Sequence, residues 1–82
     1  MYYVYILKSQ RNGSFYTGHT KDIAKRLSQH NTGKVKATKY LIPFDLVYNE
    51  VFQNATEARK REYYIKSQKS RKFIEQLIAM GG

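Results

Sequence analysis

The sequence predicts an α/β (α+β) domain: a small, mainly antiparallel three-stranded sheet flanked by helices. Three observations predict it. Two short runs rich in aromatic and β-branched residues, 2–7 and 15–18, flank a loop with Asn12-Gly13, a strong hairpin signal. A third such run, 44–52, comes much later. Between and after these runs the apolar residues recur at helical spacing. Eighty-two residues make one such domain, 1–82, with a modest core.

Residues 2–7 are apolar at both parities, which predicts a strand covered on both faces and therefore central. The polar residues around Asn12-Gly13 lengthen the hairpin loop, and Phe15 to Gly18 forms the returning strand. Residues 22–31 read as a short helix. Its acidic first turn suits the positive end of the helix dipole, and Gly33 ends it. Residues 34–39 are too short to assign. Strand 44–52 follows Pro43, whose missing donor is tolerated at a strand start. Asn54 and Glu57 resemble a capping box for a helix running to about Gln68. A last amphipathic helix covers about 70–80, with Phe73, Ile74, Leu77 and Ile78 inward, and Gly81-Gly82 stops it.

Fifteen Lys and Arg against six Asp and Glu give a formal charge of +9. On so short a chain this self-repulsion points to a polyanionic partner, nucleic acid before an anionic membrane surface. The chain has no cysteine, which excludes disulfides and thiolate zinc and suits a reducing cytoplasm. The N-terminus does not read as a signal peptide, and no segment has the length to span a bilayer.

Polar residues on apolar helix faces mark the candidate site. In the first helix Ile23 and Leu27 form the inward stripe, with Arg26 and His30 on its edge and Lys21, Lys25 and Gln29 toward solvent. In the second, Ala55, Ala58 and Ile65 share a face, and Glu62 falls in the middle of it. A carboxylate there is costly unless it is paired or holds a metal. A structural ion pair of Glu62 with Arg26 or Lys66 stands beside the metal reading as an open alternative. Arg59, Lys60, Tyr63 and Tyr64 face outward.

The ordered set resembles the GIY-YIG nuclease superfamily. Tyr3-Val4-Tyr5 matches the first motif and Tyr16-Thr17-Gly18 the second, followed by an arginine, Arg26, and a late glutamate, Glu62. His30 falls where the family has histidine or tyrosine. The likeness spans essentially the whole chain. It is closest to small stand-alone members that share the layout of the N-terminal nuclease domain of the excision-repair subunit UvrC. Tyr3 and Val4 replace the glycine and isoleucine of the first motif, and Thr17 replaces the isoleucine of the second. His19 stands where some relatives have lysine, and the late asparagine found in some members has no clear equivalent, Gln68 being the candidate.

The resemblance implies a divalent-metal-dependent endonuclease that hydrolyses phosphodiester bonds of DNA, in a setting of repair or recombination. It implies one ion, Mg²⁺ or Mn²⁺, on Glu62, since Mg²⁺ binds carboxylate oxygen and keeps several waters. Arg26 would clamp the phosphate, and Tyr5 would be the general base. Its unperturbed pKa near ~10 is too high for that task, so a metal and Arg26 are expected to lower it. Tyr16 would orient the water or phosphate, His30 would tune a tyrosine or carry a proton, and Lys66 would steady the phosphate. Gly18, His19, Lys21, Lys25, Arg59 and Lys60 are the expected nucleic-acid contacts. A protein partner or a homodimer would supply target choice. Two readings compete: a non-catalytic nucleic-acid-binding module of the same fold, and a basic structural or interaction protein.

Overall fold

A computed structural model describes residues 1–81; the Gly82 part of the expected helix stop lies outside the described residues. The elements are β1 (Tyr2–Ser9), β2 (Phe15–Thr20), α1 (Ile23–Asn31), β3 (Phe44–Phe52), α2 (Ala55–Ser67) and α3 (Arg71–Gly81). The sheet has three strands in the order β2-β1-β3, and both pairings are antiparallel. This is the predicted α+β architecture. β1 is central, as its apolar residues at both parities required, and Val4, Tyr5, Ile6 and Leu7 are all buried. Among the described residues no helix is long and apolar enough to cross a membrane.

Register partners share a face of the sheet because side chains alternate along a strand. Val4 pairs with His19 and Ile6 with Thr17, so these four point to one side. Tyr5 pairs with Gly18 and Leu7 with Tyr16, and these point to the other. On the first side Val4 and Ile6 pack with Ala58 and Ile65 of α2, and Phe73, Ile74 and Leu77 of α3 close over them. Burying each large aliphatic side chain there contributes about 2 kcal/mol. Thr17 is buried on this side. The second side is covered by α1 and the segment that follows it.

Several boundaries differ from expectation. β1 runs two residues further, to Ser9, and β2 two further, to Thr20, because the hairpin pairing continues from Lys8 with Phe15 to Tyr3 with Thr20. Gly13 closes the loop at φ +77°, a region that other residues rarely adopt. Asp22 caps α1 rather than lying in its first turn, and its carboxylate accepts from the Lys25 amide at 3.0 Å. Gly33, at φ +76°, follows the end of that helix as predicted. In α2 the cap is as expected, with Asn54 Oδ1 accepting from the Glu57 amide at 2.9 Å. α3 continues through Gly81 instead of stopping before it. Its Phe73, Ile74, Leu77 and Ile78 are the inward residues, each half-buried.

The inward stripe of α1 is a larger correction. Ile23 and Leu27 are only half-buried, and His30 is the fully buried residue of the helix. The sheet face beneath α1 carries the Tyr5 hydroxyl, and a buried hydroxyl needs a polar partner more than an aliphatic one. Asn31 fixes this end of α1. Its Nδ2 donates to the Phe44 carbonyl at 3.2 Å and its Oδ1 accepts from the Phe44 amide at 2.7 Å. The helix end is thereby clamped to the start of β3, which holds His30 against the sheet.

Candidate active site

Side chains of β1, β2, α1 and the segment after α1 gather around Tyr5 and His30. Tyr5 projects from β1, and its oxygen lies 3.0 Å from His30 Nε2. Arg26 reaches the same oxygen from one turn earlier in α1, donating through Nε at 3.5 Å. The second Arg26 arm is held by Gln29, with Nη1 donating to Oε1 at 3.1 Å. Tyr16 of β2 packs its ring edge-on to His30, with centroids 4.9 Å apart. His30 Nδ1 lies 2.8 Å from the Thr38 hydroxyl, in the segment between α1 and β3. Tyr5, His30 and Thr38 are 2 %, 0 % and 1 % exposed, so no solvent competes for these bonds.

Gly18 makes this arrangement possible. A Cβ at position 18 would lie 2.5 Å from the Tyr5 hydroxyl oxygen and 2.7 Å from Cζ. The absent side chain is the space in which the Tyr5 ring crosses β2. Gly18→Ala is expected to expel that ring and cost about 1–3 kcal/mol through overpacking, with cleavage lost as well. Thermal melting reads the first effect, and an unchanged melting temperature would show that the ring has room to yield. Gly18 was expected to contact nucleic acid; it is buried, with the Tyr5 ring against its backbone.

Burial raises the Tyr5 pKa above the usual phenol value; the Arg26 bond works against this rise, and nearby Tyr16 and Glu62 add to it. The sequence expectation was a lowered value, and Arg26 alone does not produce one. Burial, and then the Arg26 charge, hold His30 below its ordinary value, so it is neutral at pH 7. A neutral His30 can take the proton of a protonated Tyr5 when its Nε2 carries the lone pair.

Glu62 lies on the α2 side of the sheet, near its β2 edge. Its carboxylate bonds to His19 Nδ1 and, at 2.6 Å, to Lys66 Nζ one helical turn on. Burial acts to raise its pKa, but the Lys66 and His19 bonds outweigh this and hold it below the usual carboxylate value. Of the two ion-pair partners expected, Lys66 is present. Arg26 is engaged with Tyr5 and Gln29 instead. Lys66 Nζ is also 5.8 Å from the centroid of the Tyr16 ring, which brings the Glu62 cluster to the edge of the tyrosine site.

The residues present fit a metal only in one way. Among the described residues there is no group of three or more His, Cys, Asp or Glu side chains that could hold an ion. Glu62 offers a single hard oxygen ligand, suited to an ion that keeps most of its waters. Lys66 is half exposed and can swing off the carboxylate to admit it.

Beside Arg26 opens a groove of about 460 Å³, lined by His19, Thr20, Lys21, Asp22, Lys25, Arg26 and Gln29. His19, Lys21 and Lys25, all expected nucleic-acid contacts, line it. Arg59 and Lys60 do not; they are exposed on α2. Two site residues were not anticipated from sequence. Gln29, expected in solvent, is half-buried against Arg26, and its spacing three residues on was the available signal. Thr38 lies in a segment without periodicity, and nothing local pointed to it.

The family model of the GIY-YIG catalytic domain matches residues 1–75. The chain belongs to the GIY-YIG family. A UPF0213 protein from Staphylococcus saprophyticus is 48% identical over 79 residues, covering 92% of this chain and 95% of that protein. A UPF0213 protein from Staphylococcus epidermidis is 48% identical over 67 residues, covering 80% of each. The solution structure of a UPF0213 protein from Bacillus halodurans superposes with a TM-score of 0.63 at 42% identity, over 100% of this chain and 88% of that one. The chain is thus similar to small stand-alone GIY-YIG proteins, in a family of nucleases. Within the matched span, Arg26 and His30 meet at the Tyr5 hydroxyl.

Proposed function

We propose that this GIY-YIG protein is a divalent-metal-dependent endonuclease that hydrolyses phosphodiester bonds of DNA. The observation that carries this reading is the buried Tyr5–His30 pair bonded to Arg26, which itself lines a groove together with Lys21 and Lys25. The phosphate would lie in the groove against Arg26, whose planar head Gln29 pre-orients. Tyr5, donating its own proton to His30 and accepting from Arg26, presents its remaining oxygen lone pair to the attacking water. Tyr16 walls the pocket beside His30 and orients water or phosphate. One ion, Mg²⁺ or Mn²⁺, bound by Glu62 would supply charge stabilisation at the phosphate and leaving oxygens. Lys66, released from Glu62, would move toward the phosphate. We further propose a single domain over 1–82, working on DNA in the cytoplasm in repair or recombination, with a protein partner or a homodimer setting target choice.

One observation favours a second reading. Both Glu62 oxygens are already taken, by His19 and Lys66, as in a structural ion pair of a non-catalytic nucleic-acid-binding module or a basic interaction protein. A cleavage assay on duplex, flap, junction and single-stranded DNA and on RNA, with Mg²⁺, Mn²⁺ or chelator, decides between them. Metal-dependent cutting is the expected result; no cutting of any substrate in either metal overturns the nuclease reading.

Binding is expected to be mostly electrostatic. With about four phosphate contacts, affinity should fall about 10²-fold between roughly 50 and 200 mM salt. Lys25→Glu, in the groove, should weaken duplexes of every sequence alike, and more than Lys60→Glu on α2. Salt-insensitive binding, or equal effects of the two reversals, would remove the groove from the binding surface.

A further inference from the structure

We infer that Thr38 is a positioning residue of this centre: its hydroxyl fixes the ring proton of His30 on Nδ1, leaving Nε2 as the acceptor for the Tyr5 proton. The inference rests on the nuclease reading for its role in the reaction, but its structural half stands without it.

The direction of each bond follows from donor counting. A hydroxyl has one proton to donate. Thr38 Oγ1 donates it to the Val35 carbonyl at 3.3 Å, an oxygen that also accepts from the Thr38 amide at 3.1 Å and has two lone pairs. Toward His30 Nδ1, at 2.8 Å, the same hydroxyl must then accept. A neutral imidazole carries one N–H, and here it is Nδ1–H. Nε2 is left with a lone pair, so the 3.0 Å contact to Tyr5 is a bond that Tyr5 donates. A hydroxyl turned the other way would put the proton on Nε2, and Tyr5 would lose its acceptor.

The groups facing His30 do not disturb this order. Arg26 approaches from α1, Tyr5 and Tyr16 from the sheet and Phe44 from β3. Arg26 is the charged one, and its repulsion together with burial keeps the ring neutral. The step then balances. The water oxygen bonds to phosphorus as a water proton passes to Tyr5 Oη and the Tyr5 proton passes to His30 Nε2. The bond from phosphorus to the leaving sugar oxygen breaks, and that oxygen takes a proton from solvent. His30, briefly an imidazolium held by Thr38, returns one to solvent, so one water is consumed.

Two variants and two readouts test this. Thr38→Val keeps the shape and removes the hydroxyl; Thr38→Ser keeps the hydroxyl. Nitrogen-15 NMR of the ring nitrogens in the metal-free protein reads the tautomer directly. The wild type and Thr38→Ser should show a protonated Nδ1 and a bare Nε2, and Thr38→Val a mixture or the opposite form. On the best-cut DNA of the substrate panel, Thr38→Val should lower kcat on the order of 10-fold or more with KM unchanged, and Thr38→Ser should restore it. A wild-type proton on Nε2 overturns the inference even if Thr38→Val does not fold. So does an unchanged tautomer in Thr38→Val. If no DNA is cut, the nuclease reading fails alone, and the tautomer still decides the role of Thr38.

Discussion

Glu62→Gln is expected to abolish cleavage, lowering the rate about 10³-fold or more, while leaving the fold and DNA affinity nearly intact. The amide keeps the shape of the carboxylate but cannot hold a divalent ion. Stability should change by less than about 1 kcal/mol. The reason is the exposure of the partners: His19 and Lys66 side chains are 34 % and 50 % exposed, so neither is a buried cation left stranded. The sign of the pH effect follows from the lowered carboxyl pKa. The contribution of the ion pair is complete above about pH 4.5 and is lost as pH falls through the lowered value, and the variant should lack that loss. Melting beside a metal titration checks the assignment. A loss of roughly 3 kcal/mol or more with metal binding unchanged would make Glu62 a structural residue.

Tyr5→Phe should lower the chemical step about 10²-fold or more, with little change in substrate affinity. The ring stays across Gly18, so the packing survives. His30 Nε2 becomes a buried acceptor without a partner, which costs about 1–3 kcal/mol of stability. Tyr16→Phe should cost less in rate, since its ring packs on His30 and the proton path does not pass through its oxygen. The pH profile separates two ways of using Tyr5. If neutral His30 takes the proton, activity rises on the acid side, below about pH 6.5, because the His30 pKa is lowered, and then stays level. If Tyr5 must first ionise, activity climbs past about pH 10, because its pKa is raised. The first profile is expected. Equal, mild losses in both tyrosine variants would mean that neither oxygen handles the proton.

The sequence by itself determined the strands, the cap of α2 and the central place of β1. These rest on interactions between near neighbours: apolar parity in 2–7, Asn12-Gly13 in the hairpin, Asn54 ahead of α2. It also singled out Tyr5, Tyr16, Arg26, His30 and Glu62, because a polar residue on an apolar face is conspicuous and their order matches a family. Only the tertiary structure decided which of these touch. His19 meets Glu62 across 43 positions and Tyr5 meets His30 across 25, separations that no helical or strand period spans. It placed His30 at the bottom of the site rather than at an edge, because the Tyr5 hydroxyl beneath α1 required a buried polar partner. It gave Arg26 to Tyr5 and Gln29, and so left Glu62 to Lys66 and His19. Thr38 was invisible in the sequence, since a hydroxyl in an irregular segment acquires its direction only from the carbonyl and the ring that the fold brings to either side of it.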